Sequence, residues 1–269
     1  MQQSVAGVNF SISTNSWDAA RHVGEKKREF IRISYEESRY LRWEHTLLHK
    51  MVSLLIYVSF TNLREMKTKF KILFFHGFFA SGNCALAHTL RETLQSIAEV
   101  DAPDLPLHPE EALQQMRTYC QKEQPDLLVG NSCGSFLAQI IAKETGIPAL
   151  LGNPHLNMPS FLQDRIGLQT YKTPRQDGHQ EMCIDESLIE EFATLVKTQF
   201  DGCRPEWRNR VWGLFGENDT IAHYEPVFAE HYPTVYHFPG GHAPTPEEVK
   251  EWYAPLAEKM LITGCKDGK

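Results

Sequence analysis

The stretch that most limits the fold is LLVGNSCGSF, residues 127–136. An apolar run, Leu127-Leu128-Val129, stops at Gly130-Asn131-Ser132-Cys133-Gly134, and a helix-compatible segment through Lys143 follows. The run reads as a strand and the following segment as a helix. Small residues on both sides of one serine let the chain reverse sharply between them, because a glycine two places before and two after Ser132 removes side chains that would meet neighbouring backbone. Such a turn lifts the serine above the end of a sheet. It also aims the first amides of the helix, and the positive end of its dipole, at the space above the hydroxyl. The pentapeptide alone also fits a plain Gly-rich turn with a capping serine, so the test is whether a base and an acid follow it.

The rest of the chain reads as strands alternating with helices. Strands are expected at Phe70–Phe75, Glu99–Ala102, Asp126–Val129, Ala149–Gly152, Val211–Phe215 and Thr234–Phe238. Helices are expected at 82–98, 109–123, 132–145, 185–199, 224–231 and 246–261. That alternation predicts an α/β fold with a mostly parallel sheet flanked by helices. One piece interrupts it. Residues 153–184 are rich in Pro, Gly, aromatics and Met, and are expected to form a small loop-rich cap after a strand's C-terminal end, where open α/β sheets take their ligands.

In this architecture an acid and then a histidine follow the serine. The strand Val211–Phe215 ends in Gly216-Glu217-Asn218-Asp219, and one helix and one strand later comes Phe238-Pro239-Gly240-Gly241-His242. One α/β unit separates Asp219 from His242, which returns both to the sheet edge that carries Ser132. Asp219 could instead cap the segment after it, and Glu217 is the competing acid. The conjunction in the right order assigns Ser132 as nucleophile, His242 as base and Asp219 as the group that holds the imidazole tautomer. The Cys133 backbone N–H supplies half of an oxyanion hole. The turn His76-Gly77-Phe78-Phe79 after the first strand offers the Phe78 N–H as the other half. Phe78 and Phe79, with Met158, Phe161 and Leu162 of the cap, are expected to wall an acyl pocket.

These motifs are similar to those of the bacterial YqiA-type esterases, small members of the α/β-hydrolase superfamily. The resemblance runs from about Lys71 to Ile262 and rests on ILFFHGFFASG, PDLLVGNSCGSFLAQIIAKETGIPALLGNP, LFGENDTI and FPGGHAP. It implies a cofactor-free serine esterase or thioesterase, with Ser132, Asp219 and His242 as the triad and a small-molecule ester or thioester as substrate. The elbow departs from the group's usual Ser-Ser-Leu-Gly-Gly-Tyr pattern at Asn131, Cys133, Ser135 and Phe136. Only backbone atoms are needed from residue 133, so the departure bears on the pocket rather than the chemistry.

Composition narrows the field. A net charge of −7 argues against a nucleic-acid partner. The six cysteines form no CxxC pair and read as reduced thiols of a cytoplasmic protein. No phosphate-loop or dinucleotide fingerprint is present, so no metal, nucleotide or flavin cofactor is expected. The first 65 residues have an excess of Lys and Arg while the remainder is acidic, and they lack clean periodicity. Their apolar run, residues 51–60, is shorter than the roughly 20 residues a span needs, so no stable membrane insertion is expected. They read as a poorly ordered or spurious extension, with translation starting at Met66 and a hydrolase domain over 66–269. The alternatives to hydrolysis on this reading are a non-catalytic ligand-binding protein on the same fold, or an acyltransferase.

Overall fold

The computed structural model describes residues 69–264. The expected extension over residues 1–65 lies outside the described residues. Six strands form one parallel sheet: β1 (Phe70–Phe75), β2 (Ala98–Asp101), β3 (Leu127–Asn131), β4 (Ala149–Gly152), β7 (Val211–Gly216) and β8 (Thr234–Phe238), in the order β2-β1-β3-β4-β7-β8. The helices are α1 (Ala85–Leu94), α2 (Pro109–Glu123), α3 (Cys133–Thr145), α4 (Met158–Gln163), α5 (Glu186–Thr198), α6 (Glu225–His231), α7 (Pro246–Glu248) and α8 (Ala254–Gly264). A π turn, Val249–Tyr253, joins the last two.

The central strands are apolar on both faces because both faces are covered. Leu73 and Phe75 of β1 point into a core shared with α2, α3 and α5. Ile72 and Phe74 of the same strand point into the opposite core, shared with α1 and α8. Because these strands all pair in parallel, the carboxyl ends of β1, β3, β4, β7 and β8 lie along one edge. There Phe75 pairs with Gly130, Asn131 with Gly152, and Gly152 with Leu214.

Three expectations need correction. The first helix was expected from Gly82 but begins at Ala85. Gly82 is pressed against the end of β2, where an added Cβ would lie 1.9 Å from the Ala102 carbonyl oxygen, and its N–H donates to Asp104 at 2.9 Å. The chain cannot turn helical until it leaves that contact. The segment 153–184 is not all loop: it holds α4 and an antiparallel hairpin of β5 (Gly167–Thr170) and β6 (Glu181–Ile184). Each hairpin strand is only four residues long, which leaves little alternation to read. The 3₁₀ turn Pro205–Arg210 was likewise not foreseen.

The hairpin's connection acts as a strap over the turn that follows β1. Lys172 N–H donates to the Phe79 carbonyl at 2.7 Å. The Ser81 hydroxyl donates to the Pro174 carbonyl at 2.7 Å. Asp104 then ties both sides, accepting from Gly82 N–H through one oxygen and from Gln176 N–H through the other.

Candidate active site

Ser132 caps the N-terminus of α3 with φ 59° and ψ −124°, a left-handed conformation that a residue with a side chain adopts at a cost. Its two glycines explain how the turn is accommodated. A Cβ on Gly134 would lie 2.0 Å from the Phe75 carbonyl oxygen, and a Cβ on Gly130 would lie 2.7 Å from Ser135 Cα. The chain therefore passes against β1 on one side and against its own helix on the other.

His242 accepts the Ser132 hydroxyl proton at Nε2 over 2.7 Å and donates from Nδ1 to Asp219 Oδ2 over 2.9 Å. Asp219 is 8% exposed, and its other oxygen accepts from Ile221 N–H at 2.7 Å and Ala222 N–H at 3.1 Å. Burial alone would raise its carboxyl. The bonds from His242 and the two amides outweigh that and hold it below the usual carboxylate range. The competing acid, Glu217, is exposed, and its backbone N–H is engaged by Phe238.

Two buried asparagines hold the histidine loop. Asn153, fully buried with φ 40°, donates to the Gly241 and His242 carbonyls at 2.9 and 3.0 Å and accepts from Gly216 N–H at 2.7 Å. Asn131, beside Ser132, donates to the same His242 carbonyl at 3.3 Å and accepts from the Tyr253 hydroxyl at 2.8 Å. Tyr253 comes from the π turn and fits because residue 152 is glycine; a Cβ there would lie 2.0 Å from the Tyr253 hydroxyl oxygen. Sequence reading assigned none of these three a role. Asn153 and Pro154 fall within the quoted motif PDLLVGNSCGSFLAQIIAKETGIPALLGNP.

On the other side of Ser132, the turn after β1 passes close by: a Cβ on Gly77 would lie 3.6 Å from Ser132 Cβ. Among the described residues neither the Phe78 nor the Cys133 N–H has a protein acceptor. Both residues line one cleft with Leu105, Leu137, Tyr171 and Phe192. The Cys133 side chain is buried, and burial pushes its thiol up to about 12, so what it offers to this space is its amide. His76 braces the turn from below. It is 4% exposed, donates from Nδ1 to the Gly77 carbonyl and accepts Leu105 N–H at Nε2 over 2.9 Å. Burial pushes it down to about 4, so it is neutral near pH 7.

Of the residues expected to wall an acyl pocket, Phe78 lines this cleft. Met158 is 1% exposed and belongs to the core beneath α4. Phe79 and Phe161 face each other at 6.1 Å between ring centres but do not line this cleft, whereas Phe78 and Phe192 do. Among the described residues no group of three His, Cys, Asp or Glu is placed to hold a metal, and no helix is long and apolar enough to cross a membrane.

A parallel sheet in this strand order, with a strained serine after one strand and an aspartate and a histidine after two later ones, defines the α/β-hydrolase fold. Solved structures agree. The chain is similar to Est1E from Butyrivibrio proteoclasticus at 15% identity and TM-score 0.55, covering 73% of this chain and 90% of that one. It is similar to an esterase domain of a Rhodothermus marinus protein at 17% identity and TM-score 0.53, covering 73% and 89%. A putative hydrolase from Agrobacterium vitis S4 matches at 14% and TM-score 0.51, over 72% and 88%. No match is found among curated proteins. Residues 71–238 match the uncharacterised protein family UPF0227, which is the YqiA-like family, and the chain belongs to it. The match ends four residues before His242, so the histidine is located by the fold.

Proposed function

We propose that this protein is a serine hydrolase that cleaves carboxylic esters or acyl thioesters through an acyl-Ser132 intermediate. The observation that carries the reading is the continuous relay from Ser132 Oγ through His242 to a buried, ionised Asp219, at 2.7 and 2.9 Å.

On this reading Ser132 Oγ attacks the carbonyl carbon while His242 Nε2 takes its proton. The carbonyl oxygen gains negative charge and is met by the Phe78 and Cys133 amides, which have no protein acceptor to surrender. Asp219 keeps its charge and stabilises the imidazolium. The tetrahedral adduct collapses, and the leaving alcohol or thiol takes the proton from His242. Water then enters, His242 removes one of its protons, and the resulting hydroxide attacks the acyl carbon. The second collapse frees the carboxylic acid and returns the proton to Ser132. No step calls on a cofactor. The strap holds the turn that carries the Phe78 amide, and the elbow at the start of α3 holds the Cys133 amide, so both are in place before substrate arrives, which is the condition for them to contribute in the transition state rather than on reorganisation.

Labelling of the full chain by a fluorophosphonate tests this. Stoichiometric labelling that is absent from Ser132→Ala is expected. A folded protein that takes no label would contradict the reading and favour a ligand-binding role.

A further inference from the structure

His155 is a buried histidine beside the relay that the chemistry above does not use. It follows Asn153-Pro154 at the end of β4 and is 3% exposed. Its backbone N–H donates to the Ser132 carbonyl at 3.2 Å, so it is tied to the elbow itself. Its ring sits between Phe161 and Tyr224, each 5.0 Å away between centres.

Its Nδ1 is enclosed and has no partner among the described residues. A buried lone pair left unpaired is tolerated more readily than a buried N–H. Nε2 is not among the enclosed atoms, so it is the ring nitrogen left to meet a ligand, and as a donor it requires the tautomer with its proton there. A leucine or phenylalanine would fill the slot between two rings without a polar group to satisfy. In the sheet order β1-β3-β4, the oxyanion turn follows one neighbour of the serine strand and His155 follows the other. The oxygen it could bond is thus not the scissile carbonyl oxygen, which the Phe78 and Cys133 amides face.

We infer that His155 determines specificity by donating from Nε2 to a second, uncharged oxygen of the substrate, a hydroxyl, keto or ether oxygen within a few bonds of the scissile carbonyl. The inference rests on the hydrolase reading above. The charge of Asp219 acts on the His155 ring and disfavours a carboxylate at that position, so the class is an oxygenated neutral ester or thioester. A site with a buried polar group discriminates strongly against the analogue that leaves it unpaired.

The test compares ethyl butyrate with ethyl 3-hydroxybutyrate, ethyl 3-oxobutyrate and 2-hydroxyethyl butyrate, each rate divided by its hydroxide-catalysed rate, using the full chain. At least one oxygenated ester should be preferred by about tenfold or more in kcat/KM, the worth of one good hydrogen bond. That ratio should fall to about one in His155→Phe and persist in His155→Gln, whose amide N–H can donate in place of Nε2. His155→Leu replaces the phenylalanine variant if that one does not fold. Equal ratios in wild type and the apolar variant, or no preference in wild type, overturn the inference while leaving the hydrolase reading intact. A folded wild type that neither takes a fluorophosphonate nor cleaves any of the four esters overturns both.

Discussion

At the scale of single residues, one hydrogen bond favours Asp219 over Glu217 as the acid of the proposed relay. Asp219 and Glu217 lie two positions apart on the same loop, and the order serine, acid, histidine is satisfied by either. The structure separates them: Asp219 is buried, meets His242 Nδ1 and takes two amides, while Glu217 is exposed. An amide at 219 would present an N–H or a weaker acceptor to Nδ1. It would favour the tautomer with its proton on Nε2, which cannot accept from Ser132. Asp219→Asn is therefore expected to lower kcat on the order of 10⁴-fold, as the corresponding change does in serine proteases. Glu217→Gln should stay within about twofold, the scatter of an exposed change. Steady-state kinetics on any ester that wild type cleaves decides it. The reverse pattern would move the acid to Glu217.

At the scale of elements, most of the fold was legible because its signals are local. β1, β4, β8 and α2 have the bounds their apolar runs and stop residues indicate. The buried strands could be recognised by continuous Leu, Ile, Val and Phe, and the elbow by two glycines with a steric task. What escaped was set by contacts distant in sequence. Tyr253 bonds Asn131 across 122 residues, and Asn153 bonds the His242 carbonyl across 89. Nothing near either asparagine reports this. These amides join the ends of β3, β4 and β7 to the histidine loop, so the orientation of His242 depends on them. Asn153→Asp keeps the acceptor for Gly216 but loses both donors and turns a carboxylate toward two carbonyls. It should displace the loop and lower kcat on the order of 10²-fold, the size expected for a misplacement of about 1 Å. KM should change little, and thermal stability should fall. A KM effect with kcat unchanged would mean Asn153 serves the pocket rather than the relay. Tyr253→Phe leaves Asn131 Oδ1 without its donor and should show the same pattern more weakly, at about 1–3 kcal/mol in stability.

At the scale of the whole molecule, both faces of the parallel sheet are covered by helices drawn from residues 69–264. A chain starting at Met66 is expected to keep the melting temperature and fluorophosphonate labelling of the full chain; loss of either would give the first 65 residues a structural role. Stability against acid is the sharper global property. His76 and His155 are both pushed down to about 4, in each case by burial first, from about 6.5 in the unfolded chain. Between those values the unfolded state binds the proton and the folded state resists it. Stability is thus full above about pH 6.5, falls as pH drops toward 4, and loses no more from these groups below that. Asp219 adds a separate loss only below the ordinary carboxylate range, since its folded-state carboxyl is depressed. For His76 the full effect is on the order of 3 kcal/mol. Protonating its Nε2 would face a charged N–H against the Leu105 N–H it now accepts, so the Phe78 turn should loosen before the sheet does. Urea midpoints at pH 7.5 and pH 4.5 should differ clearly in wild type and by less in His76→Gln, which carries no titrating group there. An equal difference in both would assign the acid sensitivity to other groups and leave His76 as a brace only.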